Sequence, residues 1–133
     1  MTCQYHILPE YRLGVFIASG EVTAQEAVEV IQTMTEDRAW EAGFSILWDA
    51  RWITSLDIDM MGAAELIKVG RSFLERTQVA RSAVVLKREI DAQMISFLSK
   101  AISIRGPKRQ VKFFETLEKA CEWLSVPVSV VNL

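Results

Sequence analysis

The sequence predicts an α/β fold: a single mixed, mostly parallel five-stranded sheet with about four helices in β-β-α-β-α-β-α-β-α order. Three observations carry this reading. Short runs rich in β-branched and aromatic residues alternate with segments whose apolar residues recur at helical spacing. Two of the runs, Phe44-Ser45-Ile46-Leu47-Trp48 and Ser82-Ala83-Val84-Val85-Leu86, are almost wholly apolar, as strands buried on both faces of a helix-covered sheet are. The first two runs flank the turn signal Pro9-Glu10, so the sheet opens on an antiparallel hairpin and continues in parallel.

Each element has its own local reason. The opening hairpin joins residues 3–8 to 12–19. Thr23-Ala24-Gln25-Glu26 has the capping-box pattern, and Ala27, Val28, Ile31 and Met34 follow as one apolar stripe. The Phe44–Trp48 strand is expected to end at Asp49. After a polar loop, Thr54 or Ser55 is expected to cap a helix running to about Arg76, with Asp57 and Asp59 at its positive end. A further helix spans about Ile90 to Ile104. Gly106-Pro107 breaks the chain, Gln110 to Phe114 reads as the last strand, and Thr116 starts a helix whose Leu117, Ala120, Cys121 and Leu124 share one face.

At 133 residues, 50% hydrophobic and 24% charged, residues 1–133 read as one domain with a short C-terminal tail at 126–133. Cys3 and Cys121 fall in a strand and a helix, without CxxC or Cys/His spacing, which fits a reduced, cytoplasmic setting. The first residues lack the charged start and long apolar run of a secretory signal. No apolar run approaches the roughly 20 residues of a membrane span, so any membrane contact is expected to be peripheral. Residues 1–66 carry three Lys/Arg against eleven Asp/Glu, net −8, while 67–133 carry twelve against six, net +6. The simpler expectation is that the halves interleave and largely cancel; the alternative is head-to-tail self-association, a homodimer included.

The element order, the opening hairpin, the βα unit ending Ile46-Leu47-Trp48-Asp49, and Val111-Lys112-Phe113-Phe114 followed by Glu118-Lys119-Ala120-Cys121-Glu122-Trp123-Leu124 resemble the bacterial SpoIIAA-like family. That family is related to STAS domains and, more distantly in fold, to lipid-binding CRAL-TRIO domains. The resemblance runs roughly from Tyr5 to Leu124. It implies a binding module, with nonpolar ligands or membranes among the candidate targets. In STAS proteins of the anti-anti-sigma class a phosphorylated serine follows an aspartate in an Asp-Ser-Ser-Gly-like turn. Here the corresponding stretch is Asp49-Ala50-Arg51-Trp52-Ile53-Thr54-Ser55: the aspartate is in place, but no serine follows it and the glycine is missing. The standard phospho-switch is therefore not implied, and Thr54 or Ser55 at the expected helix start is the position left for modification.

Catalysis needs a nucleophile, base or metal brought together, and the residues present give no such motif. His6, the one histidine, has no acid or serine motif near it in sequence. The glycines form neither a phosphate loop nor a dinucleotide fingerprint, and no metal-ligand spacing occurs, so no enzyme activity, cofactor or metal is expected. Nucleic acid is not expected either, because the chain is slightly acidic and the basic run Arg105, Lys108, Arg109 and Lys112 lacks interleaved exposed aromatics. Two candidate surfaces remain. The first is the rim at the carboxyl ends of the strands, with Asp49, Arg51, Trp52, Thr54, Ser55, Lys87 and Arg88, suited to a regulatory protein partner. The second is an apolar pocket between the two middle helices, with Met61, Phe73, Met94, Phe97 and Leu98, suited to a nonpolar, lipid-like ligand.

Overall fold

The computed structural model describes residues 3–87, 89–103 and 110–131. The opening hairpin is β1 (Cys3–Leu8) antiparallel to β2 (Leu13–Thr23), in a register that sets Cys3 opposite Ala18 and Leu8 opposite Leu13. Then follow α1 (Ala24–Thr35), β3 (Ser45–Asp57), α2 (Met60–Thr77), β4 (Arg81–Val85), α3 (Glu89–Ser103), β5 (Gln110–Phe114), α4 (Leu117–Leu124) and α5 (Val128–Val131). The sheet runs β1-β2-β3-β4-β5, and every pair after the hairpin is parallel. The short C-terminal tail contains α5, whose Val131 is buried.

Sequential strand order with right-handed crossovers puts every crossover helix on the same side. Accordingly α1, α2 and α3 pack on one face, around Phe16, Ile46, Ile53, Leu66 and Phe73. The chain leaves β5 with no further strand to reach, so α4 and α5 fold onto the other face, around Leu13, Val15, Leu47, Val85, Leu117 and Cys121. Period-two alternation divides the strands between these cores: in β3, Ile46 and Trp48 face the three-helix side while Leu47 faces α4. The acidic half supplies β1, β2, α1 and β3 and the basic half β4, β5, α3 and α4, with α2 straddling the division and α4 packed across β2 and β3 of the acidic half.

Thr23 caps α1 through its hydroxyl, which accepts from the Glu26 amide at 3.2 Å, and Thr116 caps α4 in the same way through the Lys119 amide at 3.3 Å. The second helix departs from expectation. Asp49–Ser55 is not a loop: β3 continues to Asp57, paired with Ser19–Thr23 of β2, and α2 begins at Met60 with Asp59 as its cap, accepting from the Gly62 amide at 2.7 Å. Two register shifts, between Ile17 and Ser19 and between Gly20 and Glu21 of β2, each insert one extra residue on the β3 side. Gly20 takes φ 70° there, a left-handed conformation that glycine adopts without steric cost. Thr54 and Ser55 are therefore strand residues rather than helix caps, and Asp57 ends the strand.

Candidate functional site

On the three-helix face, small side chains oppose one another where large ones would close the core. Ala18 and Ala50 of the sheet, Ala27 of α1, Gly70 of α2 and Ser99 of α3 all border one space, an apolar cavity of about 170 Å³. Phe16, Trp48 and Phe73 form an aromatic wall, with the Trp48 ring centroid 5.0 Å from Phe16 and 5.9 Å from Phe73. Gly70 has a second role: any side chain there would collide with Ile102, so glycine sets how closely α3 approaches α2. Arg71 fixes the same end of α3, donating through Nη2 to the Ala101 carbonyl at 2.8 Å.

Beyond the cavity, the end of β3, the start of α2 and the middle of α3 border a surface groove of about 760 Å³. Leu56 and Ile58 line both spaces, so the cavity and the groove adjoin there. The other groove residues include Thr54, Ser55, Asp59, Gln93, Met94 and Phe97, and no Lys or Arg occurs among the described lining residues. Apolar surface is exposed at this end, with Met60 at 89%, Met61 at 83% and Phe97 at 57%.

The expected apolar residues thus divide. Phe73 and Leu98 line the cavity, Met94 and Phe97 line the groove, and Met61 lines neither. The helix phase explains Met61: Leu66, Val69, Gly70 and Phe73 define the inward side of α2, which projects back through Gly62 and leaves Met61 on the outer flank. Trp48, expected in the core, forms part of the cavity wall. Ala18, Ala50, Gly70, Leu56 and Ile58 were not foreseen as lining residues; small residues on the helix-covered face of neighbouring strands were the available cue.

The opposite face is arranged differently. Asp49 lies under α4 and is only 4% exposed, and the Arg51 guanidinium clasps it with Nε–Oδ1 and Nη2–Oδ2 both 2.9 Å; the Arg51 amide donates to Oδ1 as well. That hydrogen bonding holds the Arg51 guanidinium pKa above its ordinary value. Next to it Trp52 is 50% exposed, with the Arg51 guanidinium 5.1 Å and the Lys87 ammonium 4.9 Å from its ring. Asp49, Arg51, Trp52 and Lys87 therefore form one cluster, whereas Thr54 and Ser55 border the groove, and Arg88 lies outside the described residues, as do Arg105, Gly106, Pro107, Lys108 and Arg109 of the basic segment. Cys121 is buried in the α4 core, where burial first and nearby Glu118 second push its thiol pKa up, the opposite of an activated nucleophile. His6 is exposed on β1, an edge strand. Among the described residues no group of three His, Cys, Asp or Glu could hold a metal ion, and no helix is long and apolar enough to cross a membrane.

With the geometry in place, comparison with known proteins gives a consistent result. The SpoIIAA-like family matches residues 13–125. A solved structure, an uncharacterized protein from the DUF3478 family with a SpoIIAA-like fold from Shewanella loihica PV-4, is 17% identical, with a TM-score of 0.56 over 84% of this chain and 83% of that one. At that identity the likeness concerns the fold. No curated protein matches the sequence.

Proposed function

We propose, from the premise that this chain belongs to the SpoIIAA-like family, that it is a non-catalytic STAS-type binding module whose ligand is a small nonpolar, lipid-like molecule. The observation that carries this reading is the apolar cavity of about 170 Å³ between the sheet and three helices, adjoining an open groove at Leu56 and Ile58. An engineered apolar cavity of about 150 Å³ takes up benzene, so this space suits a ring or a short alkyl segment. The groove, at about 760 Å³, falls in the size range of small-molecule sites and accommodates the rest of such a molecule. Exposed Met60 and Phe97, which line it, give an apolar rim for entry, including from a membrane surface.

The test is direct. Native mass spectrometry and solvent extraction of the purified protein should reveal a bound apolar molecule, and a neutral fluorescent apolar dye should bind saturably at one site. Ala50→Leu, which fills the cavity from the central strand, should weaken the dye by about tenfold. An empty protein that binds neither dye nor liposomes would remove the proposal.

A second reading, a regulatory protein-interaction surface, is favoured by the half-exposed Trp52 held between two cations, since Trp and Arg dominate interface energetics. Arg51 is a poor probe of it, because Arg51 also neutralises buried Asp49. Trp52→Ala is the better one: loss of a specific partner captured by the unmodified protein supports this surface, and unchanged capture counts against it.

A further inference from the structure

Three polar or charged side chains are buried among the described residues, and two of them have partners within the chain. Asp49 is clasped by Arg51, and the Thr77 hydroxyl donates to the Phe73 carbonyl one turn back in its own helix. The third is Ser82 of β4, only 6% exposed, whose hydroxyl makes no hydrogen bond among the described residues. A strand offers a serine no carbonyl one turn back, so the bond that satisfies Thr77 is closed to it. Ala83 and Val85 of β4 face α4, which by period-two alternation turns Ser82 and Val84 towards the cavity that both line. Register sets Ser82 beside Ile46 of β3 and Val111 of β5, at the end of the cavity away from Leu56 and Ile58, where the groove adjoins. Ser99 of α3 lines the same space but is only half-buried, so water can reach it. A buried hydroxyl without a partner costs free energy that a polar atom of a guest recovers, whereas a charged group is poorly solvated by a single hydroxyl in an apolar wall.

We propose that Ser82 is the specificity-determining residue of the cavity, and that the ligand is an apolar ring or short chain carrying one uncharged hydrogen-bonding oxygen, a hydroxyl or a carbonyl, at its buried end. The inference rests on the cavity-binding reading above, and one experiment separates the two.

Phenol and toluene are close in size and shape and differ by a hydroxyl in place of a methyl group. Displacement of the neutral dye by each is measured on the unmodified protein, Ser82→Ala and Ser82→Thr, together with the melting temperature of each empty protein. Ser82→Ala should weaken phenol about tenfold and leave toluene within about twofold. Its melting temperature should be equal or higher, because the substitution removes a buried group that has no partner. Ser82→Thr keeps the hydroxyl on a side chain suited to strands and should restore phenol binding. A phenol-to-toluene ratio unchanged in Ser82→Ala overturns the inference and leaves the cavity reading standing. So does a melting temperature lower by several degrees, which would mean that the hydroxyl already has an internal partner such as a trapped water. Failure of both ligands and the dye to bind the unmodified protein overturns both readings.

Discussion

The two faces of one sheet have been finished in opposite ways. On the α4 side the strands present Leu13, Val15, Leu47 and Val85 to the short helices α4 and α5, and Leu117, Ala120, Cys121 and Val131 are buried there. On the other side three helices cover the same strands, yet small residues opposite one another leave an apolar space. The α4 side contains a buried carboxylate, Asp49, whereas no charged residue is among the described lining residues of the cavity. Close packing fixes a charged pair such as Asp49–Arg51 in one geometry, whereas an unfilled apolar interior forfeits dispersion contacts that a guest molecule restores. The contrast therefore sets a close-packed face against the one for which ligand binding is proposed.

The largest effect should come from opening the closed face. Arg51→Ala leaves Asp49 buried without its counter-charge and should lower unfolding free energy by about 3 kcal/mol in urea titrations. The sharpest comparison uses one substitution on both faces. Ala120→Leu overpacks the α4 core, where Ala120 is fully buried, and should destabilise by about 2 kcal/mol. Ala50→Leu places the same extra atoms into the cavity and should instead stabilise by about 1 kcal/mol. Equal destabilisation by both would erase the distinction between the faces.

A smaller effect is pH-dependent and concerns the hairpin edge. The Tyr5 hydroxyl donates to Asp37 at 2.7 Å, and burial first, then this bond, raise the Tyr5 pKa from 10.0 to about 12. Since the folded value lies above the unfolded one, the contribution is fully present below pH 10 and is lost as pH rises towards about 12. Asp37 has the opposite sign: the Ala39 amide, then Tyr5, lower its pKa, so its contribution is present above the unfolded value of 3.8 and is lost in acid as pH falls through the lower folded value. Tyr5→Phe should flatten the alkaline limb of a stability-against-pH curve. The smallest effect belongs to Met61→Gln, which should change stability by less than about 0.5 kcal/mol because the side chain lines neither space.

Most of the architecture was legible because it is written in local chemistry. The Thr23 and Thr116 caps, the apolar strands around Ile46 and Val84, and the Pro9-Glu10 turn each act within a few residues. The second half of β3 was not legible, for a physical reason. Two inserted residues break the period-two alternation, so Ile53 and Leu56 fall three apart and imitate a helical stripe, with Thr54 and Ser55 resembling caps. The candidate site was legible only in part. Phe73 and Leu98 reach the cavity and Trp52 meets Lys87, but cavity volume depends on which small residues oppose one another across layers. Alanines such as Ala18 and Ala50 reveal that only once strand register and helix position are known.

The placement of the tryptophans also makes the molecule its own instrument. Trp48 forms a wall of the apolar cavity, while Trp52 stands on the other side of the sheet between a guanidinium and an ammonium. Emission from the first reports whether the interior is filled, and collisional quenching of the second reports whether the charged surface is covered. With Trp40 and Trp123, the other two tryptophans, replaced by Phe as a common background and Trp52→Phe and Trp48→Phe as paired references, the two signals can be followed separately without a label.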